Sequence, residues 1–208
     1  MSISTPMSVY LITAAASYLL GTIPFGYILV RVFRGEDVRS KGSGNIGATN
    51  VARMSPALGL ATLILDTGKG LAAVVFARAL SGGEHQKLVM TVAAFCAVAG
   101  HLFPVWLKFH GGKGVATSLG SFALIAPKSI VCMVGLFLLV LAATRYVSMG
   151  SVAGAAAFPV LTWALHEYVE PVQLILVALG SLLVIWKHRQ NIRRIVAGTE
   201  PKFRAKRG

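Results

Sequence analysis

Seven apolar stretches of about membrane length constrain the fold of this chain more than any other feature of its sequence. They are Met7 to Phe33, Ala57 to Leu80, Leu88 to Leu107, Val115 to Ala126, Ser129 to Ala143, Met149 to Leu165 and Val172 to Trp186. A helix needs about 20 residues to cross a hydrocarbon layer of about 30 Å, so the short fourth stretch is a candidate half-span. We expect an all-α, polytopic integral membrane protein of about seven transmembrane helices, with residues 1–208 forming one domain.

The composition supports a membrane location. Of the residues, 55% are hydrophobic and 13% are charged, whereas soluble domains carry about 25% charged residues. Such a chain has little water-facing surface for a duplex-binding patch, so nucleic acid is not an expected partner. Cys96 and Cys132 lie within apolar stretches, which predicts buried thiols. The first stretch has its cations after it, the reverse of a cleaved signal peptide, so we expect it to be retained.

Positive charge is distributed unevenly over the connections. The chain has 20 Lys and Arg against 7 Asp and Glu, a net charge of +13. With seven spans, 16 of the 20 cations fall on one side: Arg31, Arg34, Arg39, Lys41, Arg53, Lys108, Lys113, Arg145, Lys187, Arg189, Arg193, Arg194, Lys202, Arg204, Lys206 and Arg207. The positive-inside rule makes that side cytoplasmic. We therefore expect the N-terminus outside, the C-terminus in the cytoplasm, and any chemistry on the cytoplasmic side.

The first polar loop has the composition of an anion cradle. Its residues of interest are Gly42, Ser43, Gly44, Asn45, Thr49, Asn50 and Arg53. Glycines alternating with small polar residues allow backbone amides to turn inward as a nest, and an arginine can close such a site on a phosphate. The same residues are common in flexible turns, so composition alone leaves both interpretations open. A nucleotide P-loop is excluded because no Gly-Lys-Ser/Thr sequence follows a strand.

A second loop places Gly111, Gly112, Lys113 and Gly114 just before the fourth apolar stretch. Helix N-termini carry partial positive charge and unpaired amides, so these residues form a second candidate phosphate site. Pro104 is expected to end the preceding helix. A plain hairpin, with Lys113 serving only as a topological marker, is the alternative. We favour the phosphate site because dipole, amides and side-chain charge coincide there.

A third polar element follows the last apolar stretch. A spacing of three places His188 and Asn191 on one helix face, which suits a binding role as well as a structural one. Arg193 and Arg194 point elsewhere on such a helix, and we expect them to face acidic lipid.

One ionic pair is expected within the membrane. Asp66 and Lys69 lie three residues apart in the second stretch, where an unpaired charge costs about 2.5 to 3.5 kcal/mol, so they should pair and support nearby loops.

A metal or other cofactor is not expected. No His, Cys, Asp or Glu set has metal-ligand spacing, and the acids on the cytoplasmic side are Glu36, Asp37 and Glu200. A phosphotransferase that clamps magnesium needs several clustered carboxylates.

The three polar elements together resemble the signatures of the bacterial acyl-phosphate-dependent glycerol-3-phosphate acyltransferases. The matching segments are Gly42-Ser43-Gly44-Asn45-x-Gly47-Ala48-Thr49-Asn50-Val51-x-Arg53, Gly100-His101-x-Phe103-Pro104 with Gly111-Gly112-Lys113-Gly114-Val115-Ala116-Thr117, and His188-x-x-Asn191-Ile192-x-Arg194 with Gly198-x-Glu200. Asp66-x-x-Lys69-Gly70 and Arg145-Tyr146-Val147-Ser148 also resemble family positions. The resemblance covers nearly the whole chain.

This resemblance implies an enzyme of phospholipid synthesis in the bacterial inner membrane. It implies acyl transfer from acyl phosphate to the 1-hydroxyl of sn-glycerol 3-phosphate, giving lysophosphatidic acid and phosphate without coenzyme A or acyl carrier protein as the direct donor. It further implies that a substrate phosphate takes the proton, with no metal, and that the enzyme that makes acyl phosphate is a potential partner. By the same resemblance Ser43, Arg53, Lys113, Ser148, His188 and Asn191 contact the phosphate-bearing substrates.

Two other functions are compatible with part of the sequence. A transporter for a phosphorylated solute needs cations along a path, but only Asp66 and Lys69 lie deep in an apolar stretch. A lipid-binding scaffold accounts for the basic tail and leaves the two glycine loops unexplained.

Overall fold

The computed structural model describes residues 5–203 and consists of helices, with no strand in that range. The helices are α1 (Met7–Thr22), α2 (Phe25–Arg34), α3 (Ala48–Met54), α4 (Pro56–Leu80), α5 (Gln86–Leu102), α6 (Val115–Phe122), α7 (Pro127–Thr144), α8 (Val147–Ala164), α9 (Pro171–Lys187) and α10 (Arg189–Val196). Short 3₁₀ turns occupy Val38–Ser40 and Val105–Leu107.

Five segments are long and apolar enough to cross a membrane: Met7–Arg34, Pro56–Leu80, Gln86–Leu107, Pro127–Thr144 and Val147–Ala164. A sixth candidate is α9 together with α10, which meet at an angle of 52°. The expected all-α polytopic fold is confirmed. The fourth apolar stretch contains only the 8 residues of α6, a length of about 12 Å, so this helix is shorter than the hydrocarbon layer.

The first apolar stretch is two helices rather than one. The chain breaks at Ile23 and Pro24, because proline cannot donate the backbone bond that a continuous helix needs. The break leaves the Ile23 carbonyl free of the helical ladder, and the Lys69 ammonium donates to it at 2.6 Å. Lys69 also lies 2.8 Å from a carboxylate oxygen of Asp66, so the predicted buried ion pair is confirmed.

The helices approach closely where a glycine of one helix packs on the backbone of another. A Cβ on Gly21 of α1 would overlap the Ala97 carbonyl of α5, and one on Gly120 of α6 would overlap the Thr67 carbonyl of α4. Small residues at contacts are typical of membrane bundles, since lipid supplies no hydrophobic drive for helix association. Large apolar side chains such as Val131 and Leu139 are exposed and face the surrounding lipid.

Hydrogen bonds identify which connections share an end of the bundle. The carboxylate of Glu167, which follows α8, accepts from the first turn of α7, and His85 lies 2.9 Å from Glu170 just before α9. We call this the acidic end, residues 81–85, 126–128 and 165–170. The other end, residues 35–55, 103–114, 145–146 and 188–203, is the basic end. Residues 115–126 carry the chain from the basic end to the acidic end.

The prediction of buried thiols needs correction, and the prediction for the basic tail falls partly on residues that the structure does not describe. Cys132 is exposed on the surface of α7 rather than buried, and Cys96 is partly exposed. An apolar sequence context does not separate a core position from a lipid-facing one, which is why the pattern misled here. The tail cations Arg204, Lys206 and Arg207 lie outside the described residues.

Candidate active site

Asn50 shapes the first polar loop from within. Its Nδ2 amide donates to the carbonyls of Val38, Lys41 and Asn45 at 3.2, 3.1 and 2.9 Å. Its Oδ1 accepts from the backbone amide of Ser43 at 2.9 Å. A buried carboxamide with this many partners fixes the course of the loop. The loop is therefore a braced structure rather than a flexible connector.

Ser43 lies between two glycines with left-handed backbone. Gly42 has φ +57° and Gly44 has φ +69°, a region in which glycine pays no Cβ penalty. A Cβ on Gly42 would also overlap Asn50 Oδ1. The Asn45 carboxamide accepts from the Gly47 amide at 2.9 Å. The Ser43 hydroxyl has no hydrogen-bond partner among residues 5–203, so it is available to a ligand.

The short helix α3 follows this loop and begins at Ala48, with Gly47 as its N-terminal capping residue. Asn50 and Arg53 are one turn apart on it, so the residue that braces the loop also fixes the position of the arginine. Thr49 and Arg53 are exposed. The Arg53 guanidinium makes no hydrogen bond or ion pair with the described part of the chain.

The second loop is anchored to the end of α5, which stops at Leu102 before Pro104 as predicted. The Gly111 amide donates to the Leu102 carbonyl at 3.2 Å, and the Gly112 amide donates to the His101 carbonyl at 3.1 Å. A Cβ on Gly112 would overlap the His101 ring, so the loop needs glycine here. His101 Nδ1 lies 3.6 Å from Asp66. The buried pair of α4 therefore supports the loop through His101.

These bonds correct the expectation that all four residues Gly111 to Gly114 offer amides to a phosphate. The amides of Gly111 and Gly112 are already bonded to α5. The amides of Lys113, Gly114 and Val115 donate to no acceptor in residues 5–203. Gly114, with φ +83°, caps the start of α6. The free donors therefore lie at the helix start, where the helix dipole adds positive potential.

Lys113 is a partly desolvated cation. Burial of its ammonium, together with the nearby charges of Arg194 and Arg53, lowers its pKa to about 8, and Glu200 acts in the opposite direction. These charged groups, from α3 and from the C-terminal segment, therefore lie near Lys113. Lys113 itself has no hydrogen-bonded or ion-paired partner within the described residues. An incoming anion would meet an ammonium that is poorly solvated and unpaired.

Glu200 joins three elements of the basic end. Its carboxylate accepts from Ser148 Oγ at 2.7 Å, Asn191 Nδ2 at 2.6 Å and Arg194 Nε at 2.7 Å. Burial raises the pKa of Glu200, but the bonds from Ser148, Asn191 and Arg194 outweigh burial and hold the pKa below its ordinary value. The carboxylate thus remains charged and draws Ser148, on α8, to Asn191, on α10.

His188 lies at the bend between α9 and α10 and is 2% exposed. Its Nδ1 lies 2.8 Å from the Val184 carbonyl, so Nδ1 carries the hydrogen and a neutral ring leaves Nε2 as an acceptor. Gly114 packs on Val184, since a Cβ there would lie 3.3 Å from Val184 Cγ2. The start of α6 therefore meets α9 one turn before His188.

The structure brings most of the candidate residues together at the basic end. Lys113, Arg53, His188, Asn191 and Ser148 are linked by the contacts and charges just described. Ser43 and Asn45 are connected to them through Asn50 and α3, and Thr49 through α3 alone. No three His, Cys, Asp or Glu side chains within the described range are grouped as metal ligands.

Sequence reasoning missed two residues of this cluster. The prediction that Arg194 faces lipid is wrong, because its guanidinium bonds Glu200. The sequence pattern did not indicate Glu200 as a site residue. The available signal was an isolated acid in a strongly basic tail, since a lone carboxylate there finds cationic and polar donors.

An apolar crevice opens beside this cluster. It is lined by Phe95, Val98, Val115, Ser118, Phe122, Ile130, Met133, Ser151, Ala155, Phe158, Val177, Gly180, Ser181 and Val184, from α5 to α9, and holds about 500 Å³ of empty space including its mouth. Val115 directly follows Gly114, and Val184 accepts from His188. The polar cluster and the apolar crevice are therefore continuous.

Comparisons with known proteins agree on one family. The family described as Glycerol-3-phosphate acyltransferase matches residues 11–198. A glycerol-3-phosphate acyltransferase of Anaeromyxobacter sp. (strain Fw109-5) is 44% identical over 196 residues, 93% of this chain and 96% of the relative. That of Geobacter sulfurreducens is 43% identical over 196 residues, 94% of this chain and 98% of the relative.

Solved structures of PlsY, an integral membrane glycerol 3-phosphate acyltransferase, are similar throughout the fold. The glycerol 3-phosphate form has a TM-score of 0.86 at 32% identity, covering 94% of this chain and 96% of that one. The lysophosphatidic acid form has a TM-score of 0.82 at 31% identity, covering 94% and 95%. The family match spans all three polar elements of the basic end, and the chain belongs to the glycerol-3-phosphate acyltransferase family.

Proposed function

We propose that this enzyme moves a fatty acyl group from acyl phosphate to the 1-hydroxyl of sn-glycerol 3-phosphate, giving lysophosphatidic acid and inorganic phosphate, the first step of bacterial phospholipid synthesis. The observation that carries the proposal is the position of Lys113, a cation with no partner among residues 5–203, beside an apolar crevice between helices, with the charge of Arg53 acting on it. A donor with an anionic head and a long apolar tail matches both halves of that site.

The cations take the phosphates. Lys113 with the amides of Gly114 and Val115, Arg53 and the Ser43 hydroxyl donate to phosphate oxygens. Charge-assisted hydrogen bonds of this kind are roughly twice as strong as neutral ones. Two reactants that each carry a phosphate repel one another, and a surplus of cations offsets that repulsion when both are bound.

Three side chains take the glycerol hydroxyls. Asn191 and Ser148 donate to Glu200, which leaves Asn191 Oδ1 and Ser148 Oγ as acceptors. His188 Nε2 is a third acceptor, because Nδ1 is bonded to Val184. Acceptors suit hydroxyl groups, which must donate, and do not suit phosphate oxygens. This division assigns His188, Asn191 and Ser148 to orienting the attacking hydroxyl.

The reaction needs no covalent enzyme intermediate. Acyl phosphate is a mixed anhydride: the 1-hydroxyl oxygen attacks its carbonyl carbon, the bond from that carbon to the phosphate oxygen breaks, and phosphate leaves. A substrate phosphate accepts the hydroxyl proton. Positioning and charge supply the acceleration, without a metal or other cofactor.

The acyl chain lies in the crevice between α5 and α9. The lining is mostly apolar, so the chain can pass from the lipid into the crevice without entering water. In the cell the protein lies in the bacterial inner membrane with its N-terminus outside and its basic end in the cytoplasm, following the charge distribution. Acyl phosphate then reaches it from the lipid phase or directly from the enzyme that makes it.

A reconstitution assay tests the proposal. Purified protein in detergent is given palmitoyl phosphate and glycerol 3-phosphate, and phosphate release and lysophosphatidic acid are followed over time. We expect both products only when both substrates are present, and none when palmitoyl-coenzyme A replaces palmitoyl phosphate. Equal rates with the coenzyme A donor would contradict the proposed donor. Glycerol 3-phosphate uptake into vesicles without phosphate release would favour a transporter.

A further inference from the structure

We propose that the paired rings of Phe122 and Phe158 form the floor of the acyl crevice and set the length of acyl chain that the enzyme accepts. This inference rests on the proposed function, since it assigns the crevice to the acyl chain of the donor and product. It adds a specificity determinant to that function.

The crevice runs from the polar cluster toward a group of buried aromatic and aliphatic side chains. Its polar end adjoins Gly114, and its lining at that level is Val115, Ser151 and Val184. Along α6 the lining continues from Val115 to Phe122, and along α8 from Ser151 to Phe158, two turns deeper in each case. The two phenylalanines therefore mark the same depth on different helices.

The floor is well packed. The ring centroids of Phe122 and Phe158 are 5.1 Å apart with an interplanar angle of 63°, an edge-to-face arrangement that aromatic pairs favour. Both rings are buried, and Ile130 and Val177 pack with them in one apolar cluster. A floor made from residues of four helices yields less easily than a single side chain, so it can act as a stop.

The distance from the reacting groups to this floor matches a medium to long acyl chain. His188 is 11 residues after Val177, which corresponds to about 16 Å along a helix. Ser148 is 10 residues before Phe158, which corresponds to about 15 Å. An extended chain covers about 1.2 Å per bond, so about thirteen carbons reach the floor. Longer chains have to bend or leave sideways.

The chain-length profile should therefore show a break. Each added methylene that still fits above the floor gains van der Waals contacts with the crevice lining, so kcat/KM rises with chain length. Methylenes that would extend past the floor gain none. We expect kcat/KM to rise from decanoyl to myristoyl phosphate and to level off or fall from palmitoyl to stearoyl phosphate.

Gly180→Leu tests the stop by raising the floor. A Cβ on Gly180 would meet nothing closer than Phe95 Cδ2 at 3.8 Å, so a side chain there enters the crevice without a clash at its root. Gly180 lies 3 residues after Val177, or about 4.5 Å along the helix. A side chain there shortens the crevice by the length of about four acyl carbons. We expect the break to move from myristoyl to decanoyl phosphate. Gly135→Leu is the matched control, since a Cβ there meets no atom within 4 Å.

Phe158→Ala tests the same stop by lowering it. We expect stearoyl phosphate to gain at least threefold in kcat/KM relative to myristoyl phosphate, with Phe76→Ala, on the exposed face of α4, leaving the profile unchanged. Should Phe158→Ala fail to fold, the Gly180 variant decides. If the folded variants stop gaining kcat/KM at the same acyl-chain length as the unmodified enzyme, the proposal is overturned. Absence of phosphate release from every acyl phosphate in the unmodified enzyme would instead contradict the proposed function.

Discussion

Glu167 at the acidic end and Glu200 at the basic end are structurally alike. Each is 7% exposed and each accepts three hydrogen bonds that join separate helices. Burial raises the pKa of both carboxyls, and in both the hydrogen bonds outweigh burial, so both pKa values lie below the ordinary range for glutamate. Both are therefore buried anions that stabilise the bundle.

Their surroundings differ in charge. Glu167 bonds the Lys128 amide and the amide and hydroxyl of Ser129, donors at a helix start that need one anion. Glu200 bonds Arg194 and also acts on Lys113, whose pKa Arg53 and Arg194 lower. One carboxylate cannot balance that many cations. The donors around Glu167 are thus matched by one anion, while the basic end keeps a positive surplus that fits anionic substrates.

Lys113→Ala removes the centre of that surplus and should have the largest effect. We expect kcat to fall by about 10²- to 10³-fold, because preorganised charge at a transition state contributes that much. Lys128→Ala, at the acidic end, should change the rate less than twofold. Initial rates of phosphate release measure both, and gel filtration in detergent checks folding. Near-normal turnover in Lys113→Ala would remove the central residue of the mechanism.

Glu200→Gln and Glu167→Gln separate catalysis from stability. Each variant weakens hydrogen bonds to a charged group, and a loss of about 2 kcal/mol lowers the melting temperature by about 5 °C. Only Glu200→Gln also weakens the bonds that hold Asn191 and Ser148 in position for the proposed contact with substrate, and we expect kcat/KM to fall about tenfold or more. Thermal melts and kinetics at a temperature where both variants are folded distinguish the two. Equal activity losses would mean that the two ends are not functionally different.

The pH profile should reflect Lys113. Its pKa of about 8 means that the ammonium is charged below pH 8 and neutral above it. Since only the charged form attracts phosphate, kcat/KM should fall about tenfold per pH unit above pH 8, with a single-proton slope. A bound phosphate raises the pKa of Lys113, so kcat should begin to fall at a higher pH than kcat/KM does. A flat profile from pH 7 to 10 with soluble, folded enzyme would be incompatible with this role.

Chelation should have no effect. The proposed chemistry uses side chains and amides, so excess EDTA is expected to leave the rate of phosphate release unchanged. The control is readdition of magnesium, which should not accelerate the reaction. Strict magnesium dependence would indicate a different mechanism at the basic end.

Much of the fold follows from patterns that the sequence displays directly. The apolar stretches predicted the membrane helices, and Pro104 predicted the end of α5. The Asp66 and Lys69 pair followed from the cost of burying a charge in lipid. The break at Pro24 was missed, because a proline in an apolar run looks the same whether the helix bends slightly or stops.

The site was less accessible to sequence reasoning. Glycine clusters indicated flexible or anion-binding loops, but their composition did not reveal that the amides of Gly111 and Gly112 are bonded to α5. Helical spacing put Arg194 away from His188 without showing that the chain turns back through Glu200. Such tertiary hydrogen bonds depend on which segments meet in space, and a local pattern does not encode that.

The interrupted first span also has a consequence for biogenesis. The Ile23 carbonyl at the interruption receives the ammonium of Lys69, and Asp66 beside it lies next to His101 of α5. A solitary α4 entering the bilayer would therefore present an ion pair and no protein neighbours. The contacts of this pair lie between α1 and α2 and on α5, so we expect these helices to associate with α4 first and the remaining helices to assemble on them afterwards.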